Sequence, residues 1–214
     1  MVSPGSFAAF AALVFVLVVV PGPSVLFTIS RALTVGRRDA LLTVLGNAAG
    51  VYGQVVAVAF GLGVLVQTSA AVFTAIKLAG AAYLVYLGVQ AIRHRRGLAA
   101  ALADAVPVTP GRTPRVLRDG FVVGFANPKS IVFLAAVLPQ FVTPSAGHVP
   151  LQVLVLGVCL PVIALLSDSG WALVAGAARS WFARSPRRLE LIGGTGGVVM
   201  IGLGVGIALN GRRD

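Results

Sequence analysis

Charge and sulfur are what this sequence lacks. Only 11% of its 214 residues are charged, where a soluble domain of this size carries about a quarter. Six acidic residues stand against 17 Lys and Arg. The single cysteine, Cys159, sits inside an apolar block and excludes both a disulfide framework and a Cys/His metal site. It reads as a small apolar filler. There is no Lys or Arg before Arg31, so the apolar stretch Phe7 to Val20 lacks the positive flank of a signal peptide and is expected to stay as a first membrane span. Strict apolar/polar alternation is missing as well, which disfavours the strands of a barrel. No Ser/His pair, no His-Glu-x-x-His and no paired membrane aspartates are present, which argues against an intramembrane enzyme.

Hydrophobic residues, by contrast, are in excess. They make up 57% of the chain, and the mean hydropathy is +0.96. There is too little polar surface to cover a water-soluble globule, so lipid must be the solvent for most of the chain. The apolar residues fall into blocks of about 20, the length a helix needs to cross a bilayer. In lipid each backbone group must be satisfied internally, so these blocks should be α-helices. The expected fold class is therefore an all-α integral membrane protein. Six spans are expected, near residues 4–30, 40–66, 70–92, 119–142, 150–178 and 189–210.

The net charge of +11 would suggest nucleic acid in a soluble protein. Here the arginines cluster between apolar blocks, without interleaved aromatics, so no nucleic-acid partner is expected. They read instead as topogenic, lipid-facing charge. Arg31, Arg37 and Arg38 lie between spans one and two. Arg93, Arg95, Arg96, Arg112, Arg115 and Arg118 lie between three and four, and Arg179, Arg184, Arg187 and Arg188 between five and six. The remaining two loops carry no Lys or Arg, only His148. The positive-inside rule then places the basic loops in the cytoplasm and both termini outside. The tail Arg212-Arg213 is the contrary feature, and a five-span chain would place it inside.

Residues 94–118, with Pro107, Pro110, Gly111 and Pro114, read as a mobile cytoplasmic linker. This divides one transporter domain, 1–214, into halves of three spans each, 1–93 and 119–214. Three is odd, so similar halves would be inverted relative to each other, as in many secondary transporters. Corresponding spans carry matching breaks. Pro21-Gly22-Pro23 interrupts the first and Asn127-Pro128 the fourth. Gly80/Gly88 and Gly194/Gly202 give a weaker match between spans three and six. Gly46/Gly50 and Gly193/Gly197 have the small-xxx-small spacing of close helix contact. Internal packing is the expected use, with a homo-oligomer as the alternative.

The breaks carry the chemistry. Proline removes a backbone donor and clashes with the preceding turn. Asn127 followed by Pro128 reads as an N-cap and first helical position. Counting about 1.5 Å per residue from Arg31 and from Asp119 puts Pro23 about 12 Å and Pro128 about 14 Å deep, near the middle of a hydrocarbon core about 30 Å thick. Two half-helix N-termini should then face the centre, where they favour an anion such as a carboxylate. Lys129, Asn47 (about 12 Å from Asp39) and Asp168 (about 16 Å from Arg179) share that depth. Intramembrane charges are costly and point to function. Lys129 and Asp168 would neutralise each other when the site is empty, or simply form a structural pair. When it is occupied, Lys129 and the helix ends would take a carboxylate. Asp168 would take an ammonium or exchange a proton. Asn47 serves equally as an interhelical hydrogen bond. Lys77 is expected to snorkel, Gln54 and Gln140 to bond locally, Tyr83 and Tyr86 to pack between helices or line a path, and Pro139 to end span four.

Three runs resemble the LysE/RhtB family of amino-acid exporters. They are Pro21-Gly22-Pro23 with Ser30-Arg31 and Gly36; Lys77-Leu78-Ala79-Gly80-Ala81-Ala82-Tyr83-Leu84 with Leu87-Gly88; and Gly124-Phe125-Ala126-Asn127-Pro128-Lys129 running to Leu138-Pro139-Gln140-Phe141. The text is closer to the homoserine/threonine branch than to the lysine/arginine branch. The resemblance implies a small six-helix secondary exporter in a bacterial inner membrane. It would move amino acids or close derivatives outward, driven by the proton gradient, with no cofactor. Asp168, in Ser167-Asp168-Ser169-Gly170-Trp171, resembles an acidic residue many members carry in the fifth helix. Asn47 departs from the small residue common there. A cation effluxer is the main rival, but hard cations need several oxygen ligands, and the spans offer one clear carboxylate.

Overall fold

The computed structural model describes residues 2–65, 70–103, 109–177 and 185–209, and these form helices joined by short connections, with no strand among the described residues. Arg179, Arg184, Pro107 and Arg212-Arg213 lie outside them. The helices are α1 (Pro4–Val19), α2 (Pro23–Thr34), α3 (Arg37–Leu65), α4 (Ala70–Ala103), α5 (Thr113–Phe125), α6 (Pro128–Val137), α7 (Val149–Gly157), α8 (Cys159–Ala177) and α9 (Pro186–Leu209). Residues 37–61 and 149–177 are long and apolar enough to cross a bilayer unaided. Two further candidates are broken. α1 and α2 meet at 49°, and α5 meets α6 with its 3-10 extension at 43°. The outer surface carries large exposed apolar side chains such as Phe60 and Leu166, as lipid-facing helices do.

Proline explains the breaks and ends. Pro23 and Pro128 each stand at the start of a helix, where a missing N–H costs nothing. Pro139 lies in the 3-10 turn Leu138–Phe141 that follows α6, so it marks the end of that helix as expected. Arg31 and Asp119, taken from the sequence as ends at the same level, form an ion pair of 2.9 Å between α2 and α5.

The linker expected over 94–118 is largely helical instead. α4 runs on to Ala103 and α5 begins at Thr113. The stretch after Arg93 has no proline before Pro107 and is rich in alanine, arginine and leucine, all strong helix formers. The end of the connection is pinned rather than mobile. Asp39 Oδ2 accepts from Gly111 N–H at 2.9 Å, and Arg38 donates to Thr113 Oγ1 at 2.9 Å.

Two helix pairs approach through small residues. α9 lies along α4, where Gly197 and Gly88 each face the other's carbonyl oxygen. α3 lies along α5, where Gly46 and Gly50 face the backbone of Leu117, Phe121 and Gly124, while Gly120 and Gly124 face that of Thr43 and Asn47. The small-xxx-small faces therefore serve packing within one chain.

The connection before α7 is held by one side chain. His148 (φ 51°) and Gly147 (φ 71°) both have positive φ, and buried Gln152 braces this turn. Its Nε2 donates to Thr143 O and Gly147 O, at 3.0 and 2.7 Å, and its Oε1 accepts from Thr143 N–H at 2.9 Å. Gln152→Ala should cost about 1–3 kcal/mol by stranding these groups. A lowered thermal midpoint of the detergent-solubilised protein would show it.

Candidate functional site

Each break leaves two kinds of loose end, the last carbonyls of one half-helix and the first N–H groups of the next. α1 ends at Val19 and α5 at Phe125, so two negative dipole ends meet two positive ones in the interior. The sequence brings side chains to most of them.

Lys129 closes the end of α1. Its Nζ donates to Leu17 O and to Val20 O, both at 2.8 Å, and its side chain is only 4% exposed. A cation at a helix C-terminus is the favourable arrangement. Lys129 and Asp168 line the same cavity, but no ion pair within 4.0 Å joins them. The carbonyls of α1 hold the ammonium more closely than the carboxylate does.

Gln54 closes the end of α5. Its Nε2 donates to Phe125 O at 2.7 Å and to Asn127 O at 3.2 Å. This corrects the reading of Gln54 as a locally bonded residue, because its partners lie on another helix. Gln140 does bond locally, donating to Ala136 O at 2.7 Å.

Asn127 joins the two breaks. Its Oδ1 caps α6 by accepting from Lys129 N–H at 3.1 Å, as the Asn-Pro pair predicts, and its Nδ2 donates to Ser24 Oγ on α2 at 3.1 Å. Each broken span is thus held by groups from the other. The start of α2 has no side-chain cap at all, with Gly22 in the capping position.

Asp168, 2% exposed, enters from α8. Its Oδ2 accepts from Asn47 Nδ2 at 3.2 Å. Its Oδ1 has no partner, nor do Asn47 Oδ1, Gln54 Oε1 and Thr28 Oγ1. Buried polar atoms are seldom left without a partner, and those of Asn47 and Asp168 belong to residues that share one cavity. Ser24, Asn47, Asn127, Lys129, Ser130 and Asp168 line one small cavity of about 20 Å³, close to the room one water needs.

The remaining expected residues divide. Pro21, Gly22 and Pro23 line a second cavity of about 520 Å³ on the far side of the first break. Pro128 opens α6 and positions Lys129. Lys77 is buried, which corrects the snorkelling expectation. Tyr83 and Tyr86 are exposed, with their rings tilted by 35° and ring centres 5.8 Å apart. Sequence alone does not assign Gln54, Ser24 and Ser130 to the site. Gln54 lies two helical turns after Asn47, and that spacing on α3 was the available signal.

Apolar helices of spanning length, two bent pairs and a buried polar cluster where the breaks meet define a multi-pass membrane transporter of the broken-helix kind. The chain matches the LysE type translocator family over residues 15–211, and it belongs to that family. It is thus a transporter rather than an enzyme. An uncharacterized membrane protein of Vibrio cholerae is 36% identical over 188 residues, 88% of this chain and 89% of that one. A homoserine/homoserine lactone efflux protein of Salmonella typhimurium is 33% identical over 172 residues, 80% of this chain and 81% of that one. The threonine efflux protein of Escherichia coli is 30% identical over 127 residues, 59% of this chain and 62% of that one. No solved structure matches the chain.

Proposed function

We propose that this protein exports amino acids or close derivatives across the bacterial inner membrane by alternating access, coupled to the proton gradient. The observation that carries the reading is the mutual bracing of the two breaks by Lys129 and Asn127, in a chain whose relatives include efflux proteins for homoserine and threonine. We assign it six spans, in two inverted halves, with the arginine-rich loops in the cytoplasm and both termini outside, following the charge distribution.

The geometry gives the cycle a physical basis. Lys129 has three N–H donors, and two are held by the end of α1. A substrate carboxylate is a stronger acceptor for an ammonium than a carbonyl is. When it takes Lys129, the carbonyls of Leu17 and Val20 lose their partner and the α1–α2 angle is free to change. Site occupancy is thereby tied to hinge geometry, as alternating access requires. The uncapped start of α2 offers the carboxylate further N–H donors. Asp168, whose Oδ1 is unpaired, takes the substrate amine or the coupled proton. Asn47 steadies its other oxygen.

Extracellular amino-acid profiling of cells expressing the wild type or Lys129→Ala tests this. Wild-type cells should accumulate a defined amino acid or derivative outside. Cells with equal membrane levels of Lys129→Ala should not. Normal export by a well-expressed Lys129→Ala protein would refute the role given to Lys129. Unchanged profiles with both proteins would refute amino-acid export itself and move ion efflux forward.

A further inference from the structure

The Pro21-Gly22-Pro23 break has two sides. Behind it lies Lys129, so close that a Cβ on Gly22 would stand 3.2 Å from Nζ. In front of it opens the cavity of about 520 Å³, bounded by α2, α4 and α9. Such a volume falls within the roughly 300–1,000 Å³ typical of small-molecule sites.

The lining of this cavity is graded. Its polar side chains, Ser30, Gln90 and His94, stand toward the arginine-rich end, one residue from Arg31, Arg93 and Arg95 or close to them. Two are already engaged. Gln90 Nε2 donates to Tyr86 Oη at 2.8 Å, and His94 Nδ1 lies 3.0 Å from Gln90 O. Along the body are Leu26, Phe27, Leu87, Ala91 and Met200. The floor is the break itself.

Resting on the exporter reading above, we infer that this cavity is the cytoplasm-facing chamber for an amino acid with an apolar side chain, aliphatic or aromatic, or a derivative of one. A hydroxylated side chain placed against Leu26, Leu87 and Met200 would lose its water without gaining a hydrogen bond, and that is unfavourable. An apolar side chain there removes its own surface and that of the walls from water. The carboxylate goes to the floor. Gly22 has no side chain to hold an anion away, and the ammonium immediately behind it acts through a medium of low dielectric. Gly22 is therefore the partition between the waiting substrate and Lys129. Opening the hinge brings the two together.

The test uses the purified full chain in proteoliposomes loaded with radiolabelled leucine or threonine. Wild-type protein should release leucine faster by about tenfold or more, the scale on which apolar pockets discriminate. Ala91→Phe, which fills the chamber, should slow leucine release. Leu87→Ser should narrow the leucine-to-threonine ratio. Threonine release equal to or faster than leucine release in the wild type would overturn the substrate class while leaving the exporter reading intact. Unchanged leucine release by a folded Ala91→Phe protein would also overturn it, since the cavity would then hold something other than cargo, such as a lipid acyl chain. Release of neither leucine, threonine nor any component of a mixed amino-acid load would end both readings.

Discussion

Gly124→Val should leave almost no folded protein in the membrane. A Cβ at Gly124 would fall against the backbone of Asn47, 2.9 Å from its carbonyl carbon and its Cα. Contacts that short are not tolerated, and a helix backbone cannot rotate away as a side chain can. Gly120 meets Thr43 in the same way, and Gly46 and Gly50 meet Leu117, Phe121 and Gly124 from the opposite side. The four glycines interlock, so relief at one position requires α3 and α5 to separate along their length. Overpacking a core ordinarily costs about 1–3 kcal/mol. Here the cost should stand at the upper end or beyond, because packing is itself the main force joining helices in lipid. The damage would reach the site. Asn47 holds Asp168, and Gln54, on the same helix, holds the carbonyls of the second break. Gly202→Ala is the matched control. Nothing lies within 4 Å of a Cβ there, and alanine favours a helix over glycine by about 0.5–1 kcal/mol. The yield of monodisperse protein in detergent should collapse for Gly124→Val and hold for Gly202→Ala. Equal yields would mean that the α3–α5 contact is not needed for folding.

These contacts also show what a sequence can and cannot disclose. Pro21-Gly22-Pro23 and Asn127-Pro128 announce their breaks because proline acts on its own turn. Asn127 is legible as a cap for the same local reason, and the structure puts its Oδ1 on Lys129 N–H. Gly46 and Gly50 can be read as a close-approach face. Gly120 and Gly124 have the same spacing, but that these two faces meet is known only from the fold. The partners of Lys129 are harder still. Sequence sets out charged and polar side chains, so Asp168 looks like the natural partner. The actual acceptors are the backbone oxygens of Leu17 and Val20, and every residue carries such an oxygen. What singles these out is the loss of helix after Val19, a consequence of the break. The break and the lysine each stood in the sequence, but their pairing required the fold. The helical run to Ala103 is a different case. Residues 94–103 contain no proline, so a helix is open to them, while their arginines match the basic connections elsewhere in the chain.

Asp168→Asn should abolish the response of export to the proton gradient while sparing exchange. The substitution preserves shape, and an amide oxygen can still accept from Asn47 Nδ2, as Asp168 Oδ2 does at 3.2 Å. It cannot take up and release a proton. One coupled proton moving through 100 mV supplies about 2.3 kcal/mol, enough to sustain a concentration ratio of about 40- to 50-fold. Proteoliposomes carrying the wild type should therefore build a substrate gradient when a proton gradient is imposed and lose it when the membrane is made leaky to protons. With Asp168→Asn, labelled and unlabelled substrate at equal pH should still exchange, while the imposed gradient should drive nothing. The buried position of Asp168 makes the contrast sharp, because a carboxylate 2% exposed has little chance of exchanging protons with bulk water unless the surrounding helices open. On the proton-coupled reading proposed above, a proton bound in one conformation would be released only in the other, and that restriction would convert a gradient into directed export. An Asp168→Asn protein that still concentrates substrate at the wild-type ratio would assign proton transfer to another residue and leave Asp168 as a partner for the substrate amine. Loss of exchange together with loss of gradient-driven export would instead place Asp168 in direct contact with the cargo.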